Sequence, residues 1–133
     1  MPFGAATVIT NKGKAMYADR IRTTPATYTT APKYLGIGVG ATGAGRTAAV
    51  TDTALSTEVE SRAAGTESVV TTTVTGDTYQ VVGTISITAS RAIDEAMQFD
   101  ASSSGNGFLS ATFAVIDLNS GDSLQLTSKA TNA

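Results

Sequence analysis

The chain has 133 residues, 15% of them charged, and a net charge of −2, a length that suits one domain able to bury its own core. It contains no Cys and no His, which excludes disulfide frames, thiolate metal sites and the His-dependent serine, cysteine and zinc chemistries. A pI near 4.9 argues against nucleic-acid binding, and no run of about 18 apolar residues is present to span a membrane.

The remaining bias is toward Thr, Ser, Ala, Gly and Val. Thr and Val are β-branched and favour pleated strands. So few long charged side chains leave a smooth surface, suited to a chain packed against neighbours and equally to an ordinary β domain. The start, "MPFGAATVITNKGKAMYADR", lacks a basic stretch followed by a long apolar one, so no secretory signal and synthesis in a cytoplasm are expected.

The first predicted element is a helix over Asn11–Arg22, "NKGKAMYADRIR", with Gly13 weakening its start. "TTPATYTTAPKY", Thr23–Tyr34, carries two prolines and many threonines and reads as extended chain. Residues 1–33 are therefore expected to be an N-terminal arm, ahead of a β domain over 34–133. Alone, such an arm buries too little apolar surface to offset its ordering entropy. It is expected to dock on a neighbouring chain, or else on its own domain, through Phe3, Val8, Ile9, Met16 and Tyr28.

"YLGIGVGATGAG" holds a formal G-x-G-x-x-G at Gly38, Gly40 and Gly43. Dinucleotide binding needs that motif between a strand and a helix of a βαβ unit, and no such series follows. The better reading is a strand in which Leu35, Ile37 and Val39 alternate with glycines, leaving one face bare for close approach of another layer. "TDTALSTEVESR", Thr51–Arg62, is expected to be a short helix with Leu55 and Val59 one turn apart. Its Glu58 and Glu60 are expected to be solvated or paired with Arg62.

Thr66–Thr88 is the clearest hairpin, with "TGDT" as its turn and strict alternation from Tyr79 to Ile87. Gly83 inside the second arm suggests a bulge or bend. The segment from Arg91 to Leu126 raises a sharper question, because Asp94 and Glu95 resemble a carboxylate pair. Adjacent residues of a strand face opposite ways, so they cannot work jointly on one substrate. The segment reads instead as strand, loop "DASSSGNG", strand Phe108–Val115, turn "NSGD" and strand Ser123–Lys129. Asp100, Asp117 and Asp122 lack calcium-loop spacing and read as turn formers.

The fold expected from these elements is mainly β, an antiparallel β-sandwich or jelly-roll-like barrel with one or two short helices. Val70, Val74, Val81, Ile85, Ile87, Phe99, Phe113, Leu124 and Leu126 are the expected core. No catalytic, cofactor or metal residues are identified, and an enzyme is not expected.

The order of the motifs "LGIGVGATGAG", "TDTALSTEVESR", "VVTTTVTGDTYQVVGTISIT", "AIDEAMQFDA", "GFLSATF" and "NSGDSLQLT" resembles small virion structural proteins of tailed bacteriophages. The likeness runs over roughly residues 34–129. The related pattern often reads I-x-E-x-G-L-F-D-A; here Ala96-Met97-Gln98-Phe99 replaces its middle and the glycine is lost. The resemblance implies a capsid decoration (cement) protein on the outer capsid surface. Its partners would be the major capsid protein and sister copies in a homotrimer, with no nucleic acid, membrane or cofactor. Related β modules also occur on tails and fibres, which leaves a tail or receptor-binding component as the alternative. That role would need aromatic and polar side chains converging on exposed loops. Tyr17, Tyr28, Tyr34 and Tyr79 are spread along the chain and Trp is absent, so such a platform is not expected.

Overall fold

A computed structural model describes residues 3–4, 7–22, 24 and 27–132. Eight strands and one helix follow in order: β1 (Thr7–Ile9), α1 (Asn11–Ile21), β2 (Tyr34–Gly38), β3 (Glu58–Ala64), β4 (Thr66–Val70), β5 (Thr78–Ser86), β6 (Arg91–Phe99), β7 (Gly107–Leu118) and β8 (Ser123–Thr131). They form a five-stranded sheet, β1-β7-β6-β2-β3, and a three-stranded sheet, β4-β5-β8. Every pairing is antiparallel. The sheets do not close into a barrel, so of the two expected architectures the sandwich is the one formed.

The layers meet through the alternation visible in the sequence. Val81, Ile85, Leu124 and Leu126 from one sheet, with Ile87 just past the end of β5, are buried in a common cluster with Leu35, Ile37, Ile93, Ala96 and Leu109 from the other. Each such side chain contributes roughly 1.5–3 kcal/mol when removed from water. Gly83 does not mark a bulge, because β5 and β8 stay in register through Gly83↔Leu126. Its missing side chain serves close packing instead: a Cβ there would lie 3.1 Å from Leu35 Cδ1 and 3.3 Å from Gly65 Cα.

The Asn11–Arg22 helix forms almost as expected. Thr10 caps it, its Oγ1 accepting from Gly13 N at 2.9 Å and donating to Gly107 O at 2.6 Å. That second bond fastens the helix start to β7. Described residues of the segment expected to be an arm make contacts with the sandwich. β1 lies along β7 with Val8 opposite Ser110, and Phe3 N donates to Thr127 O on β8.

Three more features were not read from the sequence. The Thr51–Arg62 helix is absent: residues 51–57 are irregular and Glu58–Ala64 is strand β3. The Leu55–Val59 spacing is met by two separate contacts, Leu55 packing with Met97 and Phe99 while Val59 pairs with Ile37. Tertiary pairing outweighs a weak helical period there. The hairpin turn is also wider than "TGDT". Asp77 gathers the N–H groups of Thr72, Thr73 and Val74 at 2.8–2.9 Å, so β4 stops at Val70 and Val74 is 65% exposed. Val74 is therefore no core residue, and Val70 and Phe113 are only half-buried.

The third is in β6, which is buried continuously from Ile93 to Phe99. It is the central strand of its sheet, and both its faces are covered. The inner face meets the second sheet. The outer carries Met97 and Phe99, packed with Leu55 from the long β2–β3 connection. This explains how Asp94, Glu95 and Gln98 come to be buried together.

Candidate docking surface

Asp94 and Glu95 point to different places, as adjacent strand residues should. Asp94 Oδ1 and Oδ2 accept from Ala41 N at 3.1 Å and Thr42 N at 2.7 Å. These are amides of the glycine-rich G-x-G-x-x-G loop. The donors that a phosphate would need are held by a side chain of the protein itself, and a turn rather than a helix follows. Glu95 is fully buried and accepts from Ser56 N at 2.6 Å and Ser56 Oγ at 3.2 Å. It sits opposite Gly38 in register, and a side chain on Gly38 would run into its carboxylate. The layer expected to approach the bare glycine face is thus a buried acid.

Arg46 lies 3.2 Å from Glu95 and 3.1 Å from Asp52, with neither contact aligned as a hydrogen bond. Burial outweighs the amide donors and Arg46, and holds the Glu95 pKa above the ordinary carboxylate value. Asp52 also accepts from Ala49 N and from Ser110 Oγ, tying the same connection to β7.

The same device recurs around the molecule. Asp19 accepts from Thr27 and Tyr28 N, Glu60 from Thr88 N, Asp100 from Asn106 N and Asp122 from Asn119 N. With Asp52, Asp77, Asp94 and Glu95, eight of the eleven acidic residues fasten loop amides. Glu58 is paired with Arg62 at 2.7 Å, and Glu60 with Arg91 at 2.9 Å rather than with Arg62. Arg62 also lies over the Phe99 ring, 3.4 Å from its centroid, and donates to Ala101 O and Ser104 O. Asp100 and Asp122 have the turn-forming roles expected of them, whereas Asp117 lies within β7, opposite Ala92. The charges that remain thus stiffen loops, while the apolar side chains of Val69 (69% exposed) and Val74 stand clear on the β4–β5 hairpin.

The five residues expected to anchor the arm lie in different settings. Phe3 and Met16, each 3% exposed, belong to the domain's own core, and Met16 also lines the groove that Tyr28 lines. Val8 and Ile9 are half-buried on β1. Tyr28 is half-buried and lines a groove of about 260 Å³ between α1, the chain at 28–32 and the inner face of β4–β5.

That groove brings together what looked scattered. Tyr17, Tyr28 and Tyr79 line it with Phe108, whose ring centroid is 5.4 Å from that of Tyr17 and 6.1 Å from that of Tyr79. Tyr79 Oη donates to Glu67 Oε1 at 2.8 Å, and Arg20 Nη2 donates to Thr29 O at 3.0 Å. Tyr17 Oη is buried with no hydrogen-bond partner among the described residues. Burial raises the pKa of both phenols, most strongly that of Tyr79, where Glu67 adds to the effect, so both stay protonated. Among the described residues no three carboxylates come together as a metal centre. The sequence pointed to parts of the groove, with Met16 and Tyr28 expected at a docking surface and Tyr79 on the core-facing side of an alternating strand, but not to their convergence. The chain matches no family model, no curated protein and no solved structure.

Proposed function

We propose that this chain is a structural protein of a tailed-phage virion, a decoration protein that docks on the outer capsid lattice and stabilises it. The observation that carries the reading is the use of the acidic residues. Eight of them hold loop amides, so the surface loops are shaped before any partner arrives. A preformed surface loses little conformational entropy on docking. With few free charges it presents Thr, Ser, Ala and exposed Val69 and Val74 to a partner. The mechanism is mass action: a protein that binds only the assembled shell stabilises it, and several copies around a three-fold position add avidity. The motif order "AIDEAMQFDA", "GFLSATF", "NSGDSLQLT" supports the same reading.

A tail or tail-fibre role is the second reading, favoured by the convergence of Tyr17, Tyr28, Tyr79 and Phe108 on one groove. Cosedimentation of the purified chain with undecorated phage heads tests the first. Saturable binding, with trimeric density at three-fold positions by electron microscopy, is expected. Density confined to the tail, or no association with heads, rejects the capsid assignment.

A further inference from the structure

We infer that the Asn106–Gly107 peptide unit is a covalent modification site, at which the Asn106 side-chain amide is lost as ammonia through a succinimide, and that the Asp100 carboxylate guards it. The inference concerns chemistry within this chain and does not rest on the docking reading above.

The chemistry follows from what packing demands at position 107. Gly107 opens β7 opposite Phe99, and a side chain there would run into the Met97 methyl group. The fold therefore needs glycine at 107. A glycine nitrogen is also the least hindered nucleophile that can follow an asparagine. Asn11, Asn119 and Asn132 precede Lys12, Ser120 and Ala133, each of which carries a Cβ. In the reaction Gly107 N attacks Asn106 Cγ and closes a five-membered ring. The Cγ–Nδ2 bond breaks, and ammonia leaves with the proton that Gly107 N gives up. Water then adds to either ring carbonyl, which leaves aspartate or isoaspartate.

The fold holds off the first step. Asp100 Oδ1 accepts from Asn106 N at 2.7 Å, and Oδ2 accepts from Asn106 Nδ2 at 3.0 Å. One carboxylate thus spans the residue's own N–H and its side-chain amide, and keeps that amide on the side away from Gly107. Asp100 N returns a bond to Asn106 O at 3.1 Å. Ser104 and Gly105, with φ of 51° and 75°, turn the chain so that residue 106 meets residue 100. Ring closure needs the side chain to swing toward Gly107, which breaks the Nδ2 bond. Ser102 to Gly105 are exposed, so opening this loop disturbs little packing and admits water.

The product keeps the loop open. A carboxylate replaces the Nδ2 donor and faces Asp100, where like charges repel. Isoaspartate also adds a methylene to the backbone just before β7. Arg62 then loses two fixed acceptors, Ala101 O and Ser104 O.

Peptide mapping by mass spectrometry of the full chain, held at mildly alkaline pH with isoaspartate methyltransferase labelling, tests this. In guanidinium chloride Asn106 is expected to convert ahead of Asn11 and Asn119. In the folded chain it should convert at least roughly tenfold more slowly than when unfolded, the factor for one hydrogen bond to a charged group. Asp100→Ala should remove most of that protection, with unchanged amide exchange at Val81 and Leu126 verifying its fold. Asn106→Asp, which mimics one product in an otherwise unaltered chain, should speed exchange of the Asp100 amide. Conversion at Asn106 no faster than at the other asparagines when unfolded overturns the site. Equal folded and unfolded rates, a rate unchanged or slowed in Asp100→Ala, or an unaltered Asp100 amide in Asn106→Asp overturns the guard.

Discussion

Replacing Glu95 with Ala should be among the most damaging single changes in this chain. The carboxylate is fully buried and serves Ser56 N at 2.6 Å, Ser56 Oγ at 3.2 Å and the Arg46 guanidinium at 3.2 Å. Truncation leaves Arg46 with Asp52 alone, strands donors of the β2–β3 connection, and opens a void against Gly38, which has no side chain to fill it. Removing one partner from a buried ion pair costs about 3–5 kcal/mol. Ser56 and Thr57 can rehydrate because they are exposed, which places the expected loss near the lower end, about 3 kcal/mol. For a domain of this length that corresponds to a fall in Tm of roughly 10 °C. Glu95→Gln keeps an acceptor and should lose about half as much.

The pH dependence separates these variants further. Burial raises the Glu95 pKa in the fold above its unfolded value. Its contribution to stability is therefore greatest below the unfolded pKa and declines as pH rises through the folded one. Glu95→Gln should lack that slope. Calorimetry across pH, with amide exchange at Ser56, gives both readouts. A Tm change under about 2 °C in Glu95→Ala, with Ser56 protection intact, would refute the reasoning.

Gly83→Ala should lower stability by about 1–3 kcal/mol, because the new Cβ would sit 3.1 Å from Leu35 Cδ1 between the sheets. A lower urea midpoint at unchanged m is the expected signature. Gln98→Leu should cost about 1–3 kcal/mol by stranding the Ser128 hydroxyl and the Pro32 carbonyl, both of which Gln98 bonds; thermal unfolding measures it. Asp77→Ala should free the 71–77 loop, seen as faster proteolysis there. Backbone donors from Val74 and Thr72 hold the Asp77 pKa below its ordinary 3.8. Wild-type loop protection should therefore be full above that value and fall as pH drops toward the lowered one, while Asp77→Ala shows no such step.

The regular part of the fold was written locally. Alternation in Tyr79–Ile87 and Ser123–Lys129 specified strands and their buried faces, since a period of two leaves no other way to hide Val81, Ile85, Leu124 and Leu126. The helix at 11–21 was legible from its spacing. The exclusions also needed no fold, because a chain without His or Cys lacks those chemistries in any conformation. Tertiary structure alone decided the rest. Whether Leu55 and Val59 belonged to a helix depended on β2 and β6 being there to receive them. Asp94 and Glu95 became loop fasteners because β6 lies at the centre of a sheet covered on both faces, a property of strand order rather than of strand sequence. The aromatic groove joins Tyr17, Tyr28, Tyr79 and Phe108 from four separate segments, and side chains so far apart along the chain meet only after the sheets have stacked and α1 has settled on β7.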